Sequence, residues 1–299
     1  MILPSCSGDF MKYFVCWYPD PPDPRYWDWF PIDGLMISLS NLTGESLRKA
    51  LNSGLHRLTG FNGSIFLDAG LFKPNNNRKM SQEEVLDLQS WMRPDYVTHM
   101  DFPILPRWGY SLDEKHVALK RTIDNAWIAH RWGKRNDDVK IIYVIQGWDS
   151  DSVELCVKKL AELGAKHYGL GSLYRAPVHE IRRRVRLVRT HIGLEPHLHL
   201  FGVSPLKLYR EKYDNAGLHR IDSIDSSAPI MAGVVKDVLS PHSYERENIY
   251  LNQETCSCPV CSRYPSNRYM DGLEGKKRLN TRIRALHNTY WYSVMAQKM

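Results

Sequence analysis

Apolar positions along the chain fall into two alternating rhythms. Short β-prone runs at 34–42, 64–70, 96–103, 140–147, 167–173, 197–203 and 219–226 are separated by stretches of helical period. The helical stretches are 45–58, 81–92, 112–132, 152–163, 177–190 and 205–215. In the fourth of these, Val153, Leu155, Cys156, Leu160 and Leu163 recur at helical spacing behind Asp149-Ser-Asp-Ser, which supplies N-cap chemistry. A helix between two strands returns the chain in the same direction, so the strands must pair in parallel. Seven such strands and one unassigned partner predict an α/β fold closed as an eight-stranded β/α barrel; a doubly wound open sheet is the alternative. The eighth strand is expected between Pro229 and Leu251, where the runs 230–235 and 248–251 compete. Residues 276–297 predict a long final helix. Residues 1–33, rich in Pro and aromatic side chains, read as an irregular lead-in, 34–250 as the barrel and 251–299 as a small subdomain.

The bulk composition changes this picture little. The 299 residues are 43% hydrophobic, enough for a sizeable core, and Lys+Arg exceeds Asp+Glu by 40 − 33 = 7. That surplus suits a polyanionic partner without demanding one. No run approaches the ~20 apolar residues of a membrane span, and the N-terminus lacks the layout of a signal peptide. The expected setting is therefore the cytoplasm, with no membrane partner. In that reducing setting the six cysteines read as thiols or metal ligands. Cys6, Cys16 and Cys156 are scattered and read as buried thiols. Cys256, Cys258 and Cys261 stand within six residues and offer three of the four ligands of a tetrahedral zinc site.

Barrel chemistry sits at the C-terminal ends of strands. This sequence places Asp68, Asp101, Gln146 and Asp225 at four such ends, with Gly147, Gly171 and Ser172 beside them. Each aspartate alone reads as a helix N-cap. Together they predict an active site in one mouth. Two carboxylates at one reacting centre suit glycosidic chemistry, and a further carboxylate with a carboxamide can read the edge of a planar heterocycle. Such a cluster also suits Mg²⁺, so a hard-metal enzyme stays open. No lysine ends a strand, which weakens a Schiff-base aldolase.

The order Leu67-Asp68-Ala-Gly70, Met100-Asp101, Val144-Ile-Gln146-Gly147, Leu170-Gly171-Ser172-Leu173, Leu200-Phe-Gly202-Val203, Ile224-Asp225 and Cys256-x-Cys258-x₂-Cys261 resembles the tRNA-guanine transglycosylase superfamily. The resemblance runs from about residue 34 to 298. It implies a TIM barrel with Asp225 as nucleophile, Asp68 as general acid/base, and Asp101, Gln146, Gly147, Gly171 and Ser172 around the base. It implies a structural Zn²⁺ on Cys256, Cys258, Cys261 and His287, with His242 the rival fourth ligand, and no organic cofactor. The implied partners are a nucleic acid and a 7-deazaguanine base such as 7-cyano-7-deazaguanine, with a homodimer or a helper protein as further candidates.

The sequence also departs from the pattern. Ser226-Ser-Ala-Pro-Ile-Met231 replaces the Pro-Thr-Arg segment of bacterial members, Ala69-Gly-Leu-Phe72 replaces their usual turn, and Tyr174-Arg175 stands where an acidic residue is common. Archaeal members continue into RNA-binding domains after the zinc helix. These differences resemble the DNA-modifying branch that inserts 7-deazaguanine bases into DNA, which becomes the expected activity; base exchange in tRNA is the alternative. A non-catalytic, nucleic-acid-binding partner subunit is a third reading, which the presence of both Asp68 and Asp225 disfavours. Arg175, Arg182, Arg183 and Arg184 are candidate phosphate contacts, against the plainer reading of a solvated helix face. His197 and His199 alternate on one strand and read as barrel wall rather than metal ligands.

Overall fold

The computed structural model describes residues 11–20, 22–70, 80–136, 138–248, 256–264 and 277–299. Cys6, the end of the turn at Leu71 and Phe72, and the strand candidate beyond Asn248 lie outside them. Strands β1 (Lys12–Cys16), β2 (Gly34–Ser38), β3 (Ser64–Asp68), β4 (Tyr96–Thr98), β5 (Lys140–Ile145), β6 (His167–Leu170), β7 (His197–Leu200) and β8 (Ser223–Ser226) form a closed barrel in chain order. Every neighbouring pair is parallel, including β1 with β8, where Phe14 stands opposite Asp225.

That closure corrects one expectation. The eighth strand is β1, inside the segment read as an irregular lead-in. The run expected to compete for the role lies in a helix, Ala228–Val234. Pro229 stands in the first turn of that helix, where its fixed φ and missing N–H favour a helix start. Asn248 belongs instead to a two-stranded antiparallel hairpin outside the barrel, β9 (Asp237–Leu239) with β10 (Arg246–Asn248). β1 earns its place by burial on both faces. Tyr13 and Val15 join the large core between strands and helices, whereas Phe14 points into the lumen with Met36, Phe66 and Ile142.

Helices follow the predicted pattern where caps are explicit. Ser81 with Glu84, Ser111 with Glu114, and Asp149 with Ser152 form reciprocal capping boxes at the starts of α3 (Gln82–Trp91), α4 (Leu112–Gly133) and α5 (Ser150–Ala161). The helix expected over 45–58 is two, α1 (Gly44–Ser53) and α2 (Leu55–Thr59), because Gly54 between them has φ +82°. Helix α6 (Val178–Ile192) and α7 (Pro205–Arg210) follow β6 and β7. The C-terminal helix, Lys277–Ala296, packs across Ala228–Val234, with Arg284 Nε donating to the Gly233 carbonyl at 2.8 Å. Among the described residues no helix is long and apolar enough to cross a membrane.

Candidate active site and metal centre

The lumen beneath the mouth is aromatic. Phe66 lies edge-on to Phe14 at 5.9 Å and to Phe201 at 5.7 Å. Such a floor makes charge expensive, so Asp68 and Asp101 at its rim hold their protons more tightly. Asp68, the last residue of β3, accepts from the Gly70 amide at 3.1 Å and from the Thr98 hydroxyl at 3.3 Å. Burial pushes it up to about 6, and the charge of Asp225 adds to the rise. Asp101, just past β4, is pushed up to about 7 by burial and then by the charge of Asp68. The mouth thus brings together three carboxylates whose charges oppose one another.

Gln146, just past β5, is buried against Asp101, to which its Nε2 donates at 2.5 Å. Its Oε1 accepts from the Ser172 hydroxyl at 2.6 Å, and Ser172 in turn accepts from the Ile104 amide at 2.8 Å. Ser172 holds φ +55°, a left-handed conformation that aims its hydroxyl inward. Gly171 is required beside it, since a Cβ there would stand 2.3 Å from Gln146 Nε2. The structure therefore brings Asp101, Gln146, Gly171 and Ser172 into one polar set. Gly147 faces elsewhere: its carbonyl accepts from Arg184 Nη1 at 3.1 Å.

Asp225, within β8, is held from three sides. Its Oδ1 accepts from the Gly202 amide at 2.9 Å and lies 3.2 Å from His199 Nε2, and its Oδ2 accepts from the Cys16 thiol at 3.4 Å. His199 and Cys16 were read from the sequence as wall and as a buried thiol, so their contact with Asp225 was missed. The available signal was the two-residue alternation of His197 and His199, but only the register of β7 on β8 shows what they face.

The arginine cluster divides. Arg184 is buried, with its guanidinium bonded to Glu180 at 2.6 Å and to the Gly147 and Trp148 carbonyls at 3.1 Å each. It braces the loop after β5 and is not available to a phosphate, which corrects that expectation. Its position on the inner stripe of α6 decides this: Ile181, Arg184, Val185 and Val188 share the buried side. Arg189 is fully buried as well and pairs with Asp222 at 2.6 Å. Arg175 and Arg183 are exposed, Arg183 pairing with Glu180 at 2.7 Å. Arg182 lies over the Tyr213 ring at 5.5 Å. Near Arg175, the exposed Tyr174 ring carries Arg107 at 4.4 Å and Arg175 at 5.4 Å.

On the barrel's flank, Cys256, Cys258, Cys261 and His287 place their ligand atoms within 4.8 Å of one another. The three sulfurs lie 3.9, 3.5 and 3.2 Å from His287 Nδ1. A tetrahedral zinc with ordinary Zn–S and Zn–N bonds needs S···N edges of about 3.6 Å, so the donor set fits that ion. His287 Nε2 lies 2.8 Å from the Leu239 carbonyl, which fixes the hydrogen on Nε2 and leaves Nδ1 as the ligand. Asn288 accepts from the Leu239 amide at 2.8 Å, so adjacent residues of the C-terminal helix clasp both polar groups of one β9 residue. Four protein ligands leave no open position, as in structural rather than catalytic zinc sites.

A closed parallel barrel with a carboxylate-lined mouth at its strand ends and a Cys₃His cluster on its flank defines a structural class, a β/α barrel, rather than a single activity. The family model described as queuine tRNA-ribosyltransferase matches residues 34–299, and the chain belongs to this family. The match begins at the first residue of β2, so β1 lies ahead of it. Among curated relatives, the tRNA-guanine(15) transglycosylase of Methanopyrus kandleri is 29% identical over 288 residues, 91% of this chain and 59% of that protein. The protein of the same name from Aeropyrum pernix is 27% identical over 84% of this chain and 48% of its own length. That of Methanosarcina mazei is 29% identical over 82% of this chain and 49% of its own. The chain thus spans about half the length of these relatives.

Proposed function

We propose that this protein is a guanine transglycosylase that exchanges a guanine base in tRNA for a 7-deazaguanine base, through a glycosyl-aspartate on Asp225. What supports the tRNA reading is the shared name of the relatives, tRNA-guanine(15) transglycosylase. The single observation that carries the chemistry is the convergence of Asp68 and Asp225 on one mouth, beside the Asp101–Gln146 pair.

In the first displacement, an Asp225 oxygen forms a bond to C1′ as the C1′–N9 bond breaks. The guanine leaves with that electron pair and takes a proton from Asp68, whose elevation toward neutral pH suits an acid that must later act as a base. The incoming base then gives its N9 proton to Asp68, attacks C1′ and releases the Asp225 carboxylate. Two inversions retain configuration. Asp101 accepts from the N1 and N2 edge, and the second N–H of Gln146 Nε2 addresses O6. The zinc, bound to Cys256, Cys258, Cys261 and His287, stabilises the fold around β9. Arg175, Arg182 and Arg183, with Arg107 and Tyr174, meet the nucleic acid at the rim.

A second reading, the same exchange on DNA, is favoured by the Ser226–Met231 segment that replaces a familiar tRNA-engaging one. A duplex target would have to be opened and its guanosine flipped outward. The test incubates the protein with radiolabelled guanine or 7-cyano-7-deazaguanine and either tRNA or duplex DNA. Label entering tRNA supports the first reading, and label entering DNA alone replaces it with the second. No incorporation into either, with a folded protein, sinks both.

A further inference from the structure

We infer that His199 is a positioning residue that, with the Gly202 amide, holds Oδ1 of Asp225 and so assigns Oδ2 as the oxygen that bonds to C1′. The inference rests on the base-exchange reading above. A carboxylate only accepts hydrogen bonds, so His199 Nε2, 3.2 Å from Oδ1, must carry a hydrogen. Oδ1 then receives two N–H donors, counting Gly202 at 2.9 Å, whereas among the described residues Oδ2 receives only a thiol, a weak donor, from Cys16 at 3.4 Å. The more lightly held oxygen keeps the freer lone pair.

The remainder of the constellation fixes the ring. Ser223 Oγ lies 2.8 Å from His199 Nδ1 and 2.7 Å from His197 Nε2. A serine hydroxyl has one hydrogen to give, so it serves one ring and accepts from the other. One direction of donation satisfies every member: His197 Nε2–H to Ser223, Ser223 O–H to His199 Nδ1, and His199 Nε2–H to Asp225. Burial keeps His197 neutral by lowering it to about 4. Packing prevents the His199 ring from turning away. It is fully buried, edge-on to Phe201 at 4.5 Å, to Phe66 at 5.1 Å and to Phe14 at 6.0 Å.

The donor pair acts in both displacements. While Oδ2 attacks, it keeps the carboxylate in one orientation. When the ester at Oδ2 breaks, the electron pair of the C1′–Oδ2 bond returns to the carboxylate, and the charge spread onto Oδ1 meets two preset donors. Loss of one such donor slows the step in which the carboxylate leaves, so the covalent adduct builds up.

The experiment has an activity arm and a spectroscopic arm. His199→Phe keeps an aromatic ring and removes the donor; kcat is expected to fall about 100-fold with KM for the nucleic acid nearly unchanged, and the glycosyl-enzyme to accumulate on denaturing gels. His199→Gln returns an N–H near the Nε2 position and is expected to restore at least a tenth of the activity, on the order of the loss of one weakened hydrogen bond. Ser223→Ala keeps the ring but frees its tautomer, with an expected loss of about 10-fold. Independently of turnover, ¹⁵N NMR of the His199 ring in the wild-type protein is expected to show the hydrogen on Nε2. A bare Nε2 overturns the inference even if His199→Phe fails to fold. An active wild type with an equally active, folded His199→Phe also overturns it. A wild type inactive on every nucleic acid, with Nε2 protonated, removes the base-exchange reading and leaves the geometry standing.

Discussion

The Ser172 hydroxyl donates to Oε1 of Gln146 at 2.6 Å, and this settles which end of the amide faces Asp101. With its oxygen occupied, Gln146 must turn its nitrogen to the carboxylate, leaving one N–H for a ligand. Ser172→Ala is expected to weaken guanine binding about 5-fold, the value of one net hydrogen bond. Gln146→Leu leaves Asp101 without its buried partner and is expected to cost on the order of 100-fold in kcat/KM. Calorimetry with free guanine and steady-state exchange assays measure both; a Ser172→Ala protein that binds guanine as the wild type does refutes the orienting role.

Asp101 titrates near neutrality, being raised to about 7 by burial. On the base-exchange reading its ionised form would accept from the guanine edge, so binding would favour deprotonation and release a proton. Guanine affinity is therefore expected to increase from pH 6 to pH 8 and to level off above it. The sign reverses for stability: a carboxyl raised in the folded state contributes most below its unfolded value near 3.8 and loses that contribution as pH rises through about 7. Asp101→Asn should accordingly raise the melting temperature at pH 8 and change it little near pH 4. Melting curves at the two pH values check this.

The Cys₃His cluster joins residues 256–261 to the C-terminal helix, and His287 further ties that helix to β9. Purified protein is expected to carry one zinc per chain by elemental analysis. Cys261→Ser, or removal of the metal by a strong chelator, should lower the melting temperature by about 10 °C or more, since structural zinc contributes directly to folding free energy. A metal-free protein with an unchanged melting curve contradicts a structural site.

Arginines of α6 should separate into two kinds by measurement. Arg184→Ala strips hydrogen bonds from Glu180 and two carbonyls, and Arg189→Ala leaves Asp222 without its buried partner. Each is expected to cost roughly 3 kcal/mol of stability. Arg175→Glu and Arg183→Glu lie on exposed positions and should leave denaturant midpoints nearly unchanged while flattening the salt dependence of nucleic-acid binding. An unchanged salt slope removes these two from the rim.

Legibility in the sequence followed locality. Strand ends carrying Asp68, Gln146 and Asp225 were visible because a strand and its following loop are contiguous, and the cysteine spacing advertised itself. β1 was not visible. Its partners, Gly34–Ser38 and Ser223–Ser226, are set by barrel closure, and a five-residue strand buried on both faces shows no amphipathic period. For the same reason the apolar run near Ile230 looked like a strand, although Pro229 starts a helix there. His199 and Cys16 escaped because they meet Asp225 across strand registers, and Ser223 because it meets His199 in the same way. Arg184 was misplaced because charge is read along a sequence, whereas burial depends on which face of α6 turns inward.

Barrel closure also sets a timetable. Cys16 and Asp225 are separated by 209 residues, and they touch only where β1 meets β8. During synthesis, β1 leaves the ribosome early and waits for its second neighbour until nearly all of the barrel has followed. Contacts of such long sequence separation form slowly, because the loop must close before the pairing rewards it. A barrel lacking only its last seam would keep Oδ1 of Asp225 on the Gly202 amide and His199 but leave Oδ2 without the Cys16 thiol. The Oδ2 side of Asp225 is therefore completed only when the barrel closes.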